Sequence, residues 1–123
     1  MKQKLNFFVK FVLKSFFSFI SSTKVGSYIN EVIINDVMNR ILSVNHQGMD
    51  LTFSTPNWIT KWRAETFSDK EPETLEWIDE IPKRSVLWDI GANVGLYTCY
   101  AAKRGVKVFA FEPSVFNLEI LSR

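Results

Sequence analysis

Val86-Leu87-Trp88-Asp89-Ile90-Gly91-Ala92-Asn93-Val94-Gly95 is the stretch that decides the fold, because an apolar run leads straight into a turn punctuated by glycine. A short apolar segment bounded by turn residues predicts a buried strand. Beyond it, Leu96, Cys99, Tyr100 and Lys103 recur at helical spacing and predict a helix from Leu96 to about Arg104, stopped by Gly105. Lys103 and Arg104 in its last turn suit the helix dipole. A second apolar run, Val106 to Phe111, ends on Glu112. Together these elements form a nucleotide-binding half-site, in which glycines admit a ligand to the backbone and the terminal carboxylate accepts hydrogen bonds from ribose hydroxyls. The expected fold class is α/β and Rossmann-like.

The loop also selects among nucleotides. A dinucleotide loop is usually spelled Gly-x-Gly-x-x-Gly, with the pyrophosphate seated on a helix N-terminus. Here the spelling is Gly91-x-Asn93-x-Gly95, preceded by Asp89. A carboxylate two residues ahead of the first glycine repels pyrophosphate but suits the ammonium of an amino-acid moiety, directly or through water. That points to S-adenosylmethionine, which carries no phosphate. Asn93 replaces the middle glycine tolerably because Asn visits left-handed backbone conformations, and its amide can donate and accept toward the methionine end. Each acid has a plainer reading, Asp89 as a helix N-cap and Glu112 as a turn acid before Pro113. At this spacing, between two apolar strands, the pair favours the binding motif. Cys99 reads as a small packing residue, and as the one cysteine of the chain it has no disulfide partner.

The run Trp88-Asp89-Ile90-Gly91-Ala92-Asn93-Val94-Gly95-Leu96-Tyr97-Thr98, followed by Phe109-Ala110-Phe111-Glu112-Pro113-Ser114, resembles the FkbM-type methyltransferases, with their D-I-G-A-N-x-G-x-Y and F-E-P-S signatures. The resemblance implies S-adenosylmethionine-dependent methyl transfer to a small-molecule or sugar hydroxyl. It also implies that Asp89, Gly91, Asn93 and Gly95 line the loop at the methionine end, that Glu112 holds the ribose, and that Pro113 and Ser114 lie near the adenine. The likeness covers roughly Leu51 to Arg123, including a lead-in from Arg63 to Asp79. That lead-in reads as a helix in its own right: Pro72 suits N1, acids fill the first turns, Leu75, Ile78 and Ile81 make a stripe, and Pro82 ends it. Glu71 reads as an exposed first-turn acid, with an approach to the cofactor's ammonium as the alternative.

Doubly wound sheets need several more parallel strands, covered by helices on both faces. The expected architecture is therefore a Rossmann-like methyltransferase fold truncated after the second strand of its parallel sheet, with an N-terminal helical and hairpin extension. The acceptor pocket and any catalytic base are expected beyond the assigned elements, and the 123 residues alone are expected to be inactive. An NAD-linked oxidoreductase is the rival enzyme class, disfavoured by Asp89 and the missing middle glycine. A non-catalytic, membrane-associated interaction fragment is the rival outside enzymology.

Charge is unevenly placed along the chain. Residues 1–24 hold Lys2, Lys4, Lys10, Lys14 and Lys24 and no acid, for a net +5, whereas the remainder is net −3. Six phenylalanines, at 7, 8, 11, 16, 17 and 19, crowd the same segment. Lys10 and Lys14 interrupt it, so it lacks the run of about 18 apolar residues that a membrane span needs. Lys2, Asn6, Lys10, Lys14 and Ser18 recur at i+4 and predict a basic amphipathic helix over residues 1–24, of which 1–22 either contact an anionic membrane peripherally or pack on a protein surface. A secretory signal is disfavoured, since lysines break the apolar region and no small-residue cleavage site follows. Nucleic-acid binding has little support, because the cofactor-domain portion is slightly acidic. A cytoplasmic location is the expectation, with peripheral contact to the membrane as the alternative to protein packing for residues 1–22.

Residues 25–84 are expected to form an N-terminal cap, and residues 85–123 the incomplete β-α-β part of the cofactor domain. Within the cap, Ile29, Val32, Ile33, Val37 and Ile41 predict a helix from Ser27 to about Arg40, with Met38 as core filler. A hairpin follows, Ile41 to Val44 and Leu51 to Ser54, with Asn45-His46-Gln47-Gly48 as its turn and His46 solvated there.

Overall fold

The computed structural model describes residues 2–123, with side chains from Phe7 onward. Two compact units divide the chain, residues 1–37 and 38–123. The first is helical. Its α1 runs Lys2–Ser21 and α2 runs Lys24–Met38. Lys2 and Asn6 of the expected polar stripe lie outside the described side chains. Helix α2 starts three residues earlier than its apolar periodicity suggests, because the Thr23 hydroxyl accepts a hydrogen bond from Gly26 N at 3.0 Å and so caps the new helix. Gly26 is buried at this corner, where an added Cβ would overlap the Ile20 carbonyl.

The second unit is mixed α/β. Strands β1 (Ile41–His46) and β2 (Met49–Ser54) pair antiparallel, then come α3 (Trp58–Glu65), α4 (Phe67–Lys70) and α5 (Pro72–Glu80). Strand β3 (Val86–Ile90), α6 (Leu96–Lys103) and β4 (Lys107–Phe111) follow as a right-sized parallel crossover, with α7 (Val115–Leu121) last. Trp88 lies opposite Phe109 and Asp89 opposite Ala110, so the two strand ends come level at Ile90 and Phe111. Local chemistry sets the helix limits: Asn57 and Thr60 form a capping box for α3, and Pro72 opens α5 as its place at N1 predicts.

The hairpin corrects one reading. Its turn is only Gln47-Gly48, both at positive φ, the two-residue form whose twist matches that of the flanking strands. His46 is therefore the last residue of β1 rather than a solvated turn residue. Its ring sits 5.6 Å from that of Phe67 and 5.2 Å from that of Tyr100, and Nδ1 lies 2.9 Å from Ser68 Oγ.

No boundary separates residues 38–84 from 85–123, so the expected division into cap and cofactor domain is replaced by one body. The reason is a shared core. Leu51 and Phe53 from β2, Ala64, Phe67, Leu75 and Ile78 from the lead-in helices, and Tyr100, Ala101 and Val106 from the crossover form a single buried cluster. Phe67 lies at its centre, 1% exposed, with the rings of Phe53 and Tyr100 at 5.7 and 5.6 Å. Asp79 ties the pieces together at the rim. Its Oδ1 accepts from Tyr100 Oη at 2.6 Å and pairs with Arg104 Nη1 at 3.0 Å, and its Oδ2 accepts from Gln47 Nε2 at 3.0 Å. Burial pushes the Tyr100 phenol up to about 12, and the hydrogen bond and charge of Asp79 add to that.

The parallel pair buries one face only. Leu87 and Val108 pack on the core, while Val86, Trp88, Ile90, Phe109 and Phe111 on the opposite face are exposed, Trp88 at 66%. Among the described residues no helix is long and apolar enough to cross a membrane.

Phe67→Ala is expected to lower unfolding free energy by about 3–5 kcal/mol, the range for emptying a fully buried aromatic site. Urea denaturation followed by circular dichroism measures it. A loss below about 1 kcal/mol would mean that the surrounding rings collapse into the space and that Phe67 does not organise the core.

Candidate functional site

Strand β3 ends at Ile90, and the five residues Gly91 to Gly95 carry the chain to the first turn of α6. Gly91, Asn93 and Gly95 all take positive φ, at 86°, 54° and 83°. These left-handed positions explain the residue types, since glycine adopts them freely and Asn is the side chain that tolerates them best. The loop is anchored at both ends. Gly91 N and Ala92 N donate to the Phe111 carbonyl at 2.8 and 3.1 Å, and Cys99 N donates to the Gly95 carbonyl at 2.9 Å.

Glu112, one residue past β4, holds the middle of the loop. Its Oε2 accepts from Asn93 N at 2.7 Å, and its Oε1 accepts from Ser114 N at 2.8 Å and Asn117 Nδ2 at 3.4 Å. The carboxyl sits below the usual range. The Ser114 backbone N–H is the main cause, partial desolvation opposes it, and the Asn93 N–H, the Asn117 amide and the Arg63 charge add to the lowering.

Beneath the loop lies a cavity of about 220 Å³, lined on one side by Asp89, Gly91, Asn93 and Tyr97 and on the other by Arg63, Lys70 and Glu71. Two acids and two bases therefore face one small space. Asp89 Oδ2 accepts from Thr98 Oγ1 at 2.5 Å, which aims the carboxylate from the strand end toward α6. Glu71 pairs with Lys70 at 3.2 Å and shares a hydrogen bond with Tyr97, whose phenol is pushed up to about 12 by burial first and the Glu71 charge second. Asn93 Oδ1 is buried without a hydrogen-bond partner. A buried acceptor left unpaired costs free energy.

A second depression lies on the other side of the loop, lined by Ile90, Gly91, Ala110, Phe111, Glu112, Pro113 and Leu118. Gly91 borders both spaces. A Cβ added to it meets no atom within 4 Å, so the strip between the two depressions is bare backbone open to a ligand.

The structure gathers Asp89, Gly91, Asn93 and Glu112 around one loop and places the other two expected site residues apart from the cavity lining. Gly95 does not reach the cavity: it is buried as the N-cap of α6, and a Cβ there would collide with Leu121 Cδ1. Ser114 is the N-cap of α7, its hydroxyl accepting from Asn117 N at 3.4 Å and its own N–H bound to Glu112, which leaves its main polar groups engaged in the fold. Glu71 lines the cavity rather than standing clear as a first-turn acid. Arg63 and Lys70 were not singled out by sequence, although Arg63 to Glu71 open the lead-in of the resemblance, and Tyr97 entered only as the last residue of the D-I-G-A-N-x-G-x-Y signature. Cys99 packs half-buried against the core, and burial raises its thiol pKa. No group of three His, Cys, Asp or Glu residues suited to a metal ion occurs among the described residues.

Comparison of the chain with protein-family models, with curated proteins and with solved structures finds no match.

Two measurements probe the loop. Stabilisation by ionised Glu112 is present above the ordinary carboxylate range and is lost as pH falls through its lowered folded value. The gap in urea midpoint between wild type and Glu112→Gln should accordingly be widest near neutral pH and close in acid. A gap that does not vary with pH would mean that the charge contributes nothing. Alanine at Gly91 or Gly95 should cost about 1–2 kcal/mol of backbone strain. Gly95→Ala should cost more, because Leu121 must also move, and equal melting temperatures for the two variants would contradict that distinction.

Proposed function

We propose that this chain carries the cofactor half-site of an S-adenosylmethionine-dependent methyltransferase with a Rossmann-like fold. The observation that carries the reading is the cavity under the glycine loop, which Asp89, Glu71, Arg63 and Lys70 all line. An α-amino acid group is a zwitterion, and a space lined by both signs of charge matches its ammonium and carboxylate together. A pyrophosphate would find two carboxylates in the same place. At about 220 Å³ the cavity is smaller than the roughly 300–1,000 Å³ of a site that encloses a whole drug-sized ligand, which suits one end of a longer molecule.

In this reading the ammonium lies against Asp89 and Glu71, and the unpaired Asn93 Oδ1 accepts a further hydrogen bond. Arg63 and Lys70 balance the carboxylate. The ligand passes over Gly91, where no side chain obstructs it, and Glu112 accepts from the ribose hydroxyls with the acceptor capacity that Asn93 N and Ser114 N leave free. When bound, S-adenosylmethionine supplies an electrophilic methyl group on a sulfonium. The contribution of these residues is to hold the amino-acid and ribose ends so that the methyl faces a fixed direction, the positioning that in-line transfer requires. A small-molecule or sugar hydroxyl as acceptor rests on the likeness of Asp89 to Thr98 and Phe109 to Ser114 to the FkbM-type methyltransferases.

Calorimetric titration of the full-length protein with S-adenosylhomocysteine and, separately, with NAD tests the proposal. Binding of the former alone is expected, and binding of NAD alone would overturn it. Asp89→Asn should weaken S-adenosylhomocysteine by roughly ten- to a hundredfold, the scale of a hydrogen bond to a charged group. It should leave methylthioadenosine, which lacks the amino-acid end, unchanged. Equal weakening of both ligands would remove Asp89 from the methionine end.

A further inference from the structure

We infer that α1 is a membrane-surface helix whose partner is an anionic lipid bilayer. The inference is independent of the proposed methyl transfer and rests on three observations. First, residues 7–19 are exposed throughout, including Phe8 at 63% and Phe16 at 57%. Second, on a helix of 3.6 residues per turn, Phe8, Val9, Val12, Leu13, Phe16 and Phe19 fall on one arc of about 140°, and the opposite side carries Lys10, Lys14 and Ser18 interleaved with Phe7, Phe11 and Phe17. An apolar arc of that width is what a helix lying flat in an interface immerses, and the lysines then stand at the headgroup level. Third, residues 1–24 hold five lysines and no acid, and the next carboxylate along the chain is Glu31.

The charge chooses the occupant. A second copy laid on the apolar arc would leave the lysines of both copies with no acid on α1 to pair them, whereas an anionic bilayer offers negative charge along the whole length of the helix. Crossing the bilayer is not an option for this helix, which is not apolar enough to span it. Helix α2 does not extend the pattern, because Glu31 and Asp36 interrupt its apolar surface with negative charge.

Flotation of the full-length protein with phosphatidylcholine vesicles, with and without phosphatidylglycerol, tests this. The protein should float with the phosphatidylglycerol vesicles, not with pure phosphatidylcholine, and added salt should release it. Lys10→Gln with Lys14→Gln should weaken partitioning by roughly twentyfold or more at low salt, about fivefold per lysine. Phe8→Ser with Phe16→Ser should weaken it comparably while circular dichroism and S-adenosylhomocysteine titration stay unchanged. Failure to float, equal flotation with neutral vesicles, or insensitivity to the lysine pair would each overturn the inference. So would a protein that self-associates without vesicles and loses only that association in the phenylalanine variant, because the face would then belong to a second copy.

Discussion

The Glu112 carboxylate is the constraint on which the candidate site depends. The loop has three residues at positive φ and one hydrogen bond within its own backbone, Gly95 N to the Ala92 carbonyl at 2.9 Å, and Asn93, the one non-glycine among the three, sits in a conformation that costs an L side chain free energy. Glu112 supplies an external anchor by binding Asn93 N with one oxygen and Ser114 N with the other, so the turn after β3 and the turn before α7 are set by the same group. The parallel register brings the two turns together, because Ile90 and Phe111 end their strands side by side. A shorter β4 would leave the acid out of reach. The ionised form is the one with capacity to accept all these bonds, which is why the surroundings hold its pKa down.

Around that anchor, the aromatic core decides where the opposing wall of the cavity stands. Phe67 both fills the centre of the core and lines the cavity floor, and Tyr97 packs 6.0 Å from it while reaching Glu71 with its hydroxyl. Packing of the lead-in helices against α6 therefore carries Arg63, Lys70 and Glu71 to the glycine loop. The charged lining is a consequence of hydrophobic packing: the side chains that meet Asp89 arrive there because Ala64, Phe67 and Leu75, their neighbours in sequence, are buried. The same packing merges the hairpin and the lead-in helices with the crossover into one unit.

Two of the exposed apolar surfaces differ in kind. On the sheet, the Trp88 and Phe111 rings lie 5.6 Å apart, tilted at 42°, beside Ile90, and Lys107 stands over the Phe109 ring. Parallel sheets are normally covered on both faces, so this surface has the character of an interior. On α1 the aromatic residues share the helix with lysines, which is the character of an interface between water and an anionic phase.

Much of the second unit was legible from local chemistry. Glycines at φ-demanding positions, Pro72 at a helix start, and apolar runs bounded by turns located α5, β3, α6 and β4 to within about a residue or two, because each signal acts through neighbours in the chain. The motif also named Asp89, Gly91, Asn93 and Glu112, which do surround one loop. What local chemistry did not contain was contact across distance. That His46 would leave its turn for a slot between Phe67 and Tyr100, that Gly95 would pack against Leu121, and that Arg63 and Lys70 would join the cavity are outcomes of residues far apart in the chain meeting in one place. Ser114 as the N-cap of α7 is local instead, since its partner lies three residues away. Sequence determined which backbone turns were possible and where charge was available; packing around Phe67 decided which of those charges face one another.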